Sequence, residues 1–139
     1  MIYDFLGNFV IKKESVGNFR FCGREYSQDE ECNIKVSCTD NTEKRLPISF
    51  HRGARKLDDK ATDGEVSQMR SVVGSLAWIA RQVRPRLCYA CSRLQSVVGS
   101  AQVKHLEKCN QTLADAKATA DHGLYYKASV FDFEESLLM

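Results

Sequence analysis

Apolar residues recur at three- and four-residue steps through Val66, Met69, Val72, Val73, Leu76, Ile79, Ala80 and Val83, which predicts one long amphipathic helix. Thr62 and Glu65 have capping-box spacing at its start, each side chain meeting a free backbone N–H of the first turn. Arg84-Pro85 ends it, because proline disfavours helical geometry in the residue before it. Pro85 suits the opening of a second helix, which carries Leu87, Cys91, Leu94 and Val98 on one side and stops near Gly99. Ser100 is placed to cap a third, with a narrower stripe of Val103, Leu106, Leu113, Ala116 and Ala120. Gly123 is its expected stop, in a left-handed C-terminal cap.

On either side of the helices the pattern suggests strands. Phe19, Phe21, Gly23, Glu25 and Tyr26 suggest one strand and Asn33–Ser37 another, with the polar span Ser27–Glu31 as the hairpin turn. Thr39–Arg45 reads as a second polar turn. Leu46–Phe50 reads as a short extended segment that Pro47 keeps at an edge. Residues 1–20 are expected to enter as a short helix or strand with a turn, and 51–61 as a loop. After Gly123, Leu124–Tyr126 and Val130–Phe133 look like two short strands. The expected class is α+β: an N-terminal β-hairpin, a small bundle of about three helices and a short C-terminal strand pair.

At 139 residues, 43% hydrophobic and 27% charged, the chain is sized and composed for one domain with a core. No apolar run approaches a membrane span, and Asp4 with no small-residue cleavage pattern makes a poor signal peptide. The expectation is a cytoplasmic or nuclear protein with no membrane partner. A net charge of +2 is too small to argue for nucleic acid. Two basic clusters, His51/Arg52/Arg55/Lys56 and Arg70/Arg81/Arg84/Arg86/Arg93, are first read as solvated faces. Of the 6 cysteines, Cys88 and Cys91 have C-x-x-C spacing. They lie in a helical pattern beside Leu87 and Leu94, so the favoured reading is small buried hydrophobes rather than zinc or redox ligands. His51 and His105 form no nucleophilic constellation with any cysteine, and His105 reads as a capping or surface residue.

The long helix also has a far side. With about 100° per residue and Met69 at the centre of the stripe, Gly74 falls about 140° and Trp78 about 180° away, with Ser71 and Arg81 on the same side. Glycine inside a helix costs roughly 1 kcal/mol and is useful where another backbone must come close. A Gly–Trp–Arg face suits a nucleic-acid backbone: glycine admits it, indole packs on sugar or base, arginine meets phosphate. The competing reading buries Trp78 beneath another part of the same chain, such as the N-terminal segment.

The stretch Met69–Arg93, MRSVVGSLAWIARQVRPRLCYACSR, resembles the region after the polymerase centre in copia-type retrotransposon reverse transcriptases. So do Gly17–Glu25, similar to the family's hairpin segment Phe-Leu-Gly-x-Glu, and, in order, His105 and Asp121-His122-Gly123-Leu124-Tyr125-Tyr126. The resemblance runs from about Phe19 to Tyr126. It implies a partial reverse transcriptase domain over 1–139: the end of the palm and the primer-grip hairpin (about 1–50), thumb helices (about 62–100), and a connection toward ribonuclease H (about 101–139). It implies nucleic-acid contacts by Ser71, Gly74, Trp78, Arg81, Phe21 and Gly23, with an RNA–DNA or DNA duplex as partner. The missing palm and ribonuclease H parts of the polyprotein would be the other partners.

Two departures matter. Arg86 stands where the family usually has aspartate. The palm's aromatic-x-Asp-Asp motif is absent, and Asp58-Asp59 follows Lys56-Leu57 in a predicted loop, in the wrong context and order. Two-metal phosphoryl transfer needs palm carboxylates, so the expectation is no catalytic or metal-binding residue and no cofactor in this chain; magnesium is expected only for the intact parent enzyme. The alternative is a free-standing nucleic-acid-binding or protein-interaction domain derived from such an element.

Overall fold

A computed structural model describes residues 16–130. The elements expected within 1–15 and 131–133 lie outside that range. The fold is α+β: a four-stranded antiparallel sheet in the order β1-β2-β3-β4 packs beside a helical bundle. β1 is Phe19–Phe21, β2 Arg24–Gln28, β3 Ile34–Ser37 and β4 Leu124–Tyr126. The helices are α1 Thr39–Glu43, α2 Asp63–Val83, α3 Cys88–Val97 and α4 Val103–Ala118.

The span expected as a single first strand is itself a hairpin. Phe21 pairs with Arg24 across a two-residue turn in which Cys22 (φ 49°) and Gly23 (φ 75°) are both left-handed. Left-handed central residues match the twist of a tight hairpin. The second turn is held by Asp29, whose carboxylate accepts the backbone N–H of Glu31 and of Asn33 and the Asn33 amide. Thr39–Glu43, expected as a polar turn, is a short helix. The Glu25 carboxylate on β2 accepts the free N–H groups of Thr39 and Asp40 at its start, at 2.9 and 3.0 Å. β4 closes the sheet against β3, with Val36 opposite Leu124. The first strand of the expected C-terminal pair thus joins the hairpin sheet; of the second, only Val130 is among the described residues, in a 3₁₀ turn.

α2 starts as the sequence predicts. Thr62 and Glu65 form the reciprocal capping box, and Met69, Val72, Val73, Leu76, Ile79, Ala80 and Val83 are buried. Pro85 opens a 3₁₀ turn over 85–87 that leads into α3. α4 is capped by Gln102 rather than Ser100: the Gln102 N–H donates to His105 Nδ1 at 3.1 Å. Gly123 is no left-handed cap either. A Cβ there would lie 2.2 Å from the Val36 carbonyl oxygen, so glycine is present because β4 crosses close to β3.

Two apolar clusters result. The larger lies among α2, α3 and α4 and includes Met69, Leu76, Leu94, Leu106 and Leu113. The smaller joins sheet to helix through Val36, Cys38, Ile79 and Val83, with Tyr26, Trp78 and Leu124 at its margin. Arg84 locks the bundle: the residue is 5% exposed, and its guanidinium donates to the Ala116 carbonyl at 2.8 Å and to the Thr119 hydroxyl. It thereby serves the carbonyl end of α4. Burial, then neighbouring Arg86, push the Arg84 pKa down, opposed by Asp121.

The capping box is reinforced from outside the helix. Arg55 holds Glu65 at 2.7 and 3.1 Å and donates to the Lys60 carbonyl. These bonds, with the Thr62 N–H and hydroxyl, outweigh burial and hold the Glu65 carboxyl at about 2, below its ordinary value of 4.5. A depressed folded-state pKa contributes stability above the unfolded value and loses it as pH falls through the folded one. Solvent reaches Arg55, 27% exposed, so screening limits the contribution to about 2 kcal/mol. In denaturant titrations that stability is expected to fade between pH 4.5 and 2 in the wild type. Glu65→Gln should be less stable at pH 7 and lose less across the window than the wild type, the remaining loss coming from Glu25, Asp29, Asp40 and Asp58, whose carboxyls are also held low; an unchanged profile would show that the pair does not stabilise the fold.

Candidate nucleic-acid interface

Trp78 sits where two layers meet. It is half-buried, because the sheet covers part of the side of α2 that faces away from the bundle. A Cβ on Gly23 would stand 3.1 Å from Trp78 Cη2, so the tip of the β1–β2 hairpin rests on the indole edge. The competing reading was thus partly right. Trp78 does pack under another part of the chain, but that part is the hairpin.

The rest of the indole borders an open recess of about 520 Å³ lined by Asn41, Arg45, Arg70, Ser71, Gly74, Ser75 and Trp78. Three predicted residues, Ser71, Gly74 and Trp78, come together there, and Gly23 touches the site through the indole. Nothing lies within 4 Å of the place a Gly74 Cβ would take, so the helix backbone is bare on that side. No acidic side chain lines the recess.

Two cations flank it. Arg45 is fixed by Asn41: its Nε donates to the Asn41 carbonyl at 3.2 Å and to Oδ1 at 3.1 Å. Its partner is neutral, so its charge is not cancelled. Arg70 is exposed, one residue before Ser71, and has no acidic partner among the described residues. Sequence reasoning did not single out Arg45 or Asn41, because α1 was read as a turn; Arg70 was noticed only as a member of a charge cluster.

Arg81 and Phe21 are placed elsewhere. Arg81 folds back so that Nε donates to the Ala77 carbonyl at 3.3 Å, and it lines a separate groove with Ala80, Cys88 and Cys91. Phe21 is 62% exposed on the hairpin. It shares a sheet face with Phe19, 37% exposed, which stacks on Tyr26 with ring centroids 4.9 Å apart.

Several other charged and thiol groups have structural roles. Of the first basic cluster, Arg55 serves Glu65 and Arg52 pairs with Glu107 at 3.2 Å. Asp58 pairs with Lys104 at 2.6 Å, and the Asp59 carboxylate accepts the Lys56 N–H at 2.7 Å. The loop between them is clamped to the start of α4 by backbone bonds from Ala61 to Ala101 and from Val103 to Asp59. Cys91 and Cys109 are buried in the main core, and burial raises both thiols, Cys109 to about 12, whereas Cys88, expected buried beside Cys91, is exposed.

Comparison with protein-family models, with curated proteins and with solved structures returns no match. Among the described residues, no helix is long and apolar enough to cross a membrane.

Proposed function

We propose that this chain is the duplex-gripping part of a copia-type reverse transcriptase, holding nucleic acid without carrying out the chemistry itself. The observation that carries the proposal is the recess on α2. Bare backbone at Gly74, a half-buried indole and two cations with no acidic partner converge there. The indole offers a flat surface to sugars or bases, Gly74 admits a backbone, and Arg45 and Arg70 meet phosphates. The resemblance of Met69–Arg93 to the family's thumb region supports the same residues from a separate direction. Polymerisation would require palm carboxylates and their magnesium from another part of the polyprotein.

Gly74→Ala is the sharpest test of the recess. Alanine has open space and a better helix propensity, so stability is expected to rise by up to about 1 kcal/mol. If a nucleic-acid backbone lies against this turn, affinity for a labelled RNA–DNA hybrid should nevertheless fall several-fold in fluorescence anisotropy. Higher stability with unchanged affinity would remove the duplex from this face.

A further inference from the structure

A second recess lies between α3 and α4, away from the residues assigned to the duplex. It encloses about 410 Å³, within the range of about 300–1,000 Å³ typical of small-molecule sites. Ala90, Leu94 and Val97 of α3 give it apolar lining, and Tyr89, 77% exposed, stands at its edge. Its polar lining is of one kind. Arg93 comes from one wall, and Lys108 and His105 from the other.

Neither Arg93 nor Lys108 is paired with an acid among the described residues. Lys108 Nζ donates only to the amide oxygen of Gln111, at 3.1 Å. His105 uses Nδ1 to accept the Gln102 N–H, so its neutral ring keeps the proton on Nε2, as a donor. The Thr112 hydroxyl donates to the Lys108 carbonyl at 2.8 Å and so gives no proton to the groove. An apolar lining between cations on facing walls suits an apolar body ending in an oxyanion, and a carboxylate is the smallest such end.

We propose that the α3–α4 groove binds a small amphiphilic carboxylate, its alkyl or aryl body on Leu94 and Val97 and its carboxylate between Arg93 and Lys108. Binding here is independent of the duplex reading, because none of the lining residues belongs to the recess at Gly74 and Trp78.

The test is an amide-resolved NMR titration of the full chain with sodium decanoate, kept below its micelle concentration. Saturable shifts are expected at Tyr89, Arg93, Leu94, Val97, His105 and Lys108. Arg93→Gln and Lys108→Gln, both at exposed positions, should each weaken binding about tenfold while leaving the remaining spectrum in place. Decyltrimethylammonium, with the same chain and the opposite charge, should leave the groove unshifted. Equal response to both amphiphiles would overturn the proposal, as would shifts confined to the exposed aromatics of the sheet or no saturable binding. Displacement of decanoate from the same amides by an RNA–DNA hybrid would reassign the groove to nucleic acid and overturn it too.

Discussion

Arg84→Ala is expected to cost about 4 kcal/mol, the largest loss of any single substitution considered. The guanidinium is buried and donates to the Ala116 carbonyl and the Thr119 hydroxyl at the end of α4. Each hydrogen bond from a charged group is worth about 1.5–3 kcal/mol, and the stranded carbonyl adds the cost of an unpaired buried acceptor. Truncation also leaves a gap where α2 turns into the Pro85 segment. Lysine should rescue little of this, because a point charge cannot reproduce a planar fork aimed at two acceptors. Urea titrations of Arg84→Ala and Arg84→Lys check both statements. A loss under about 1 kcal/mol for alanine would mean that the clasp is not what joins α2 to α4.

Gly123→Ala comes next, with an expected loss of about 3 kcal/mol. The added methyl would sit 2.2 Å from the Val36 carbonyl oxygen and 3.0 Å from its carbon, both backbone atoms of β3. No rotamer change relieves a clash with main chain, so β4 must move. Overpacking of this kind costs about 1–3 kcal/mol, and here it also strains strand pairing. Val36 lies in the small cluster that seats the sheet on α2, so the damage should be local: faster amide exchange at Leu124–Tyr126 and Ile34–Val36, with α3 and α4 protected as before. Uniform destabilisation of every amide would show instead that sheet and bundle unfold as one unit.

These two residues show where the sequence was legible and where it was not. Arg84-Pro85 was rightly read as a helix end, since proline acts on its immediate neighbour, but nothing local shows that Arg84 reaches a helix 32 residues away. Gly123 was not the stop of α4, which ends at Ala118 with Thr119 as its cap; the constraint at Gly123 is the close approach of a strand. The long helix was plain because 21 residues of periodicity and a capping box agree. α1 was hidden because its five residues are held by Glu25, 14 and 15 positions earlier. The Cys22-Gly23 turn was hidden because cysteine is an unusual choice for a left-handed turn position. At the recess, the helical wheel placed Gly74, Trp78 and Ser71 together. It could not show that the hairpin also covers part of that side, nor that Arg81 bends back onto its own helix. Arg45 could enter the site only once α1 was known to be a helix.

The most direct test of duplex gripping is the salt dependence of binding to a labelled RNA–DNA hybrid, measured by anisotropy for the wild type, Arg70→Gln and the Arg45→Gln/Arg70→Gln pair. Phosphate contacts release counterions, so wild-type affinity should fall steeply with salt, and each lost contact should flatten the log–log slope by about 1. The account predicts slopes reduced by about 1 and about 2, with the fold intact. Binding that ignores salt, or slopes identical in all three proteins, would contradict it.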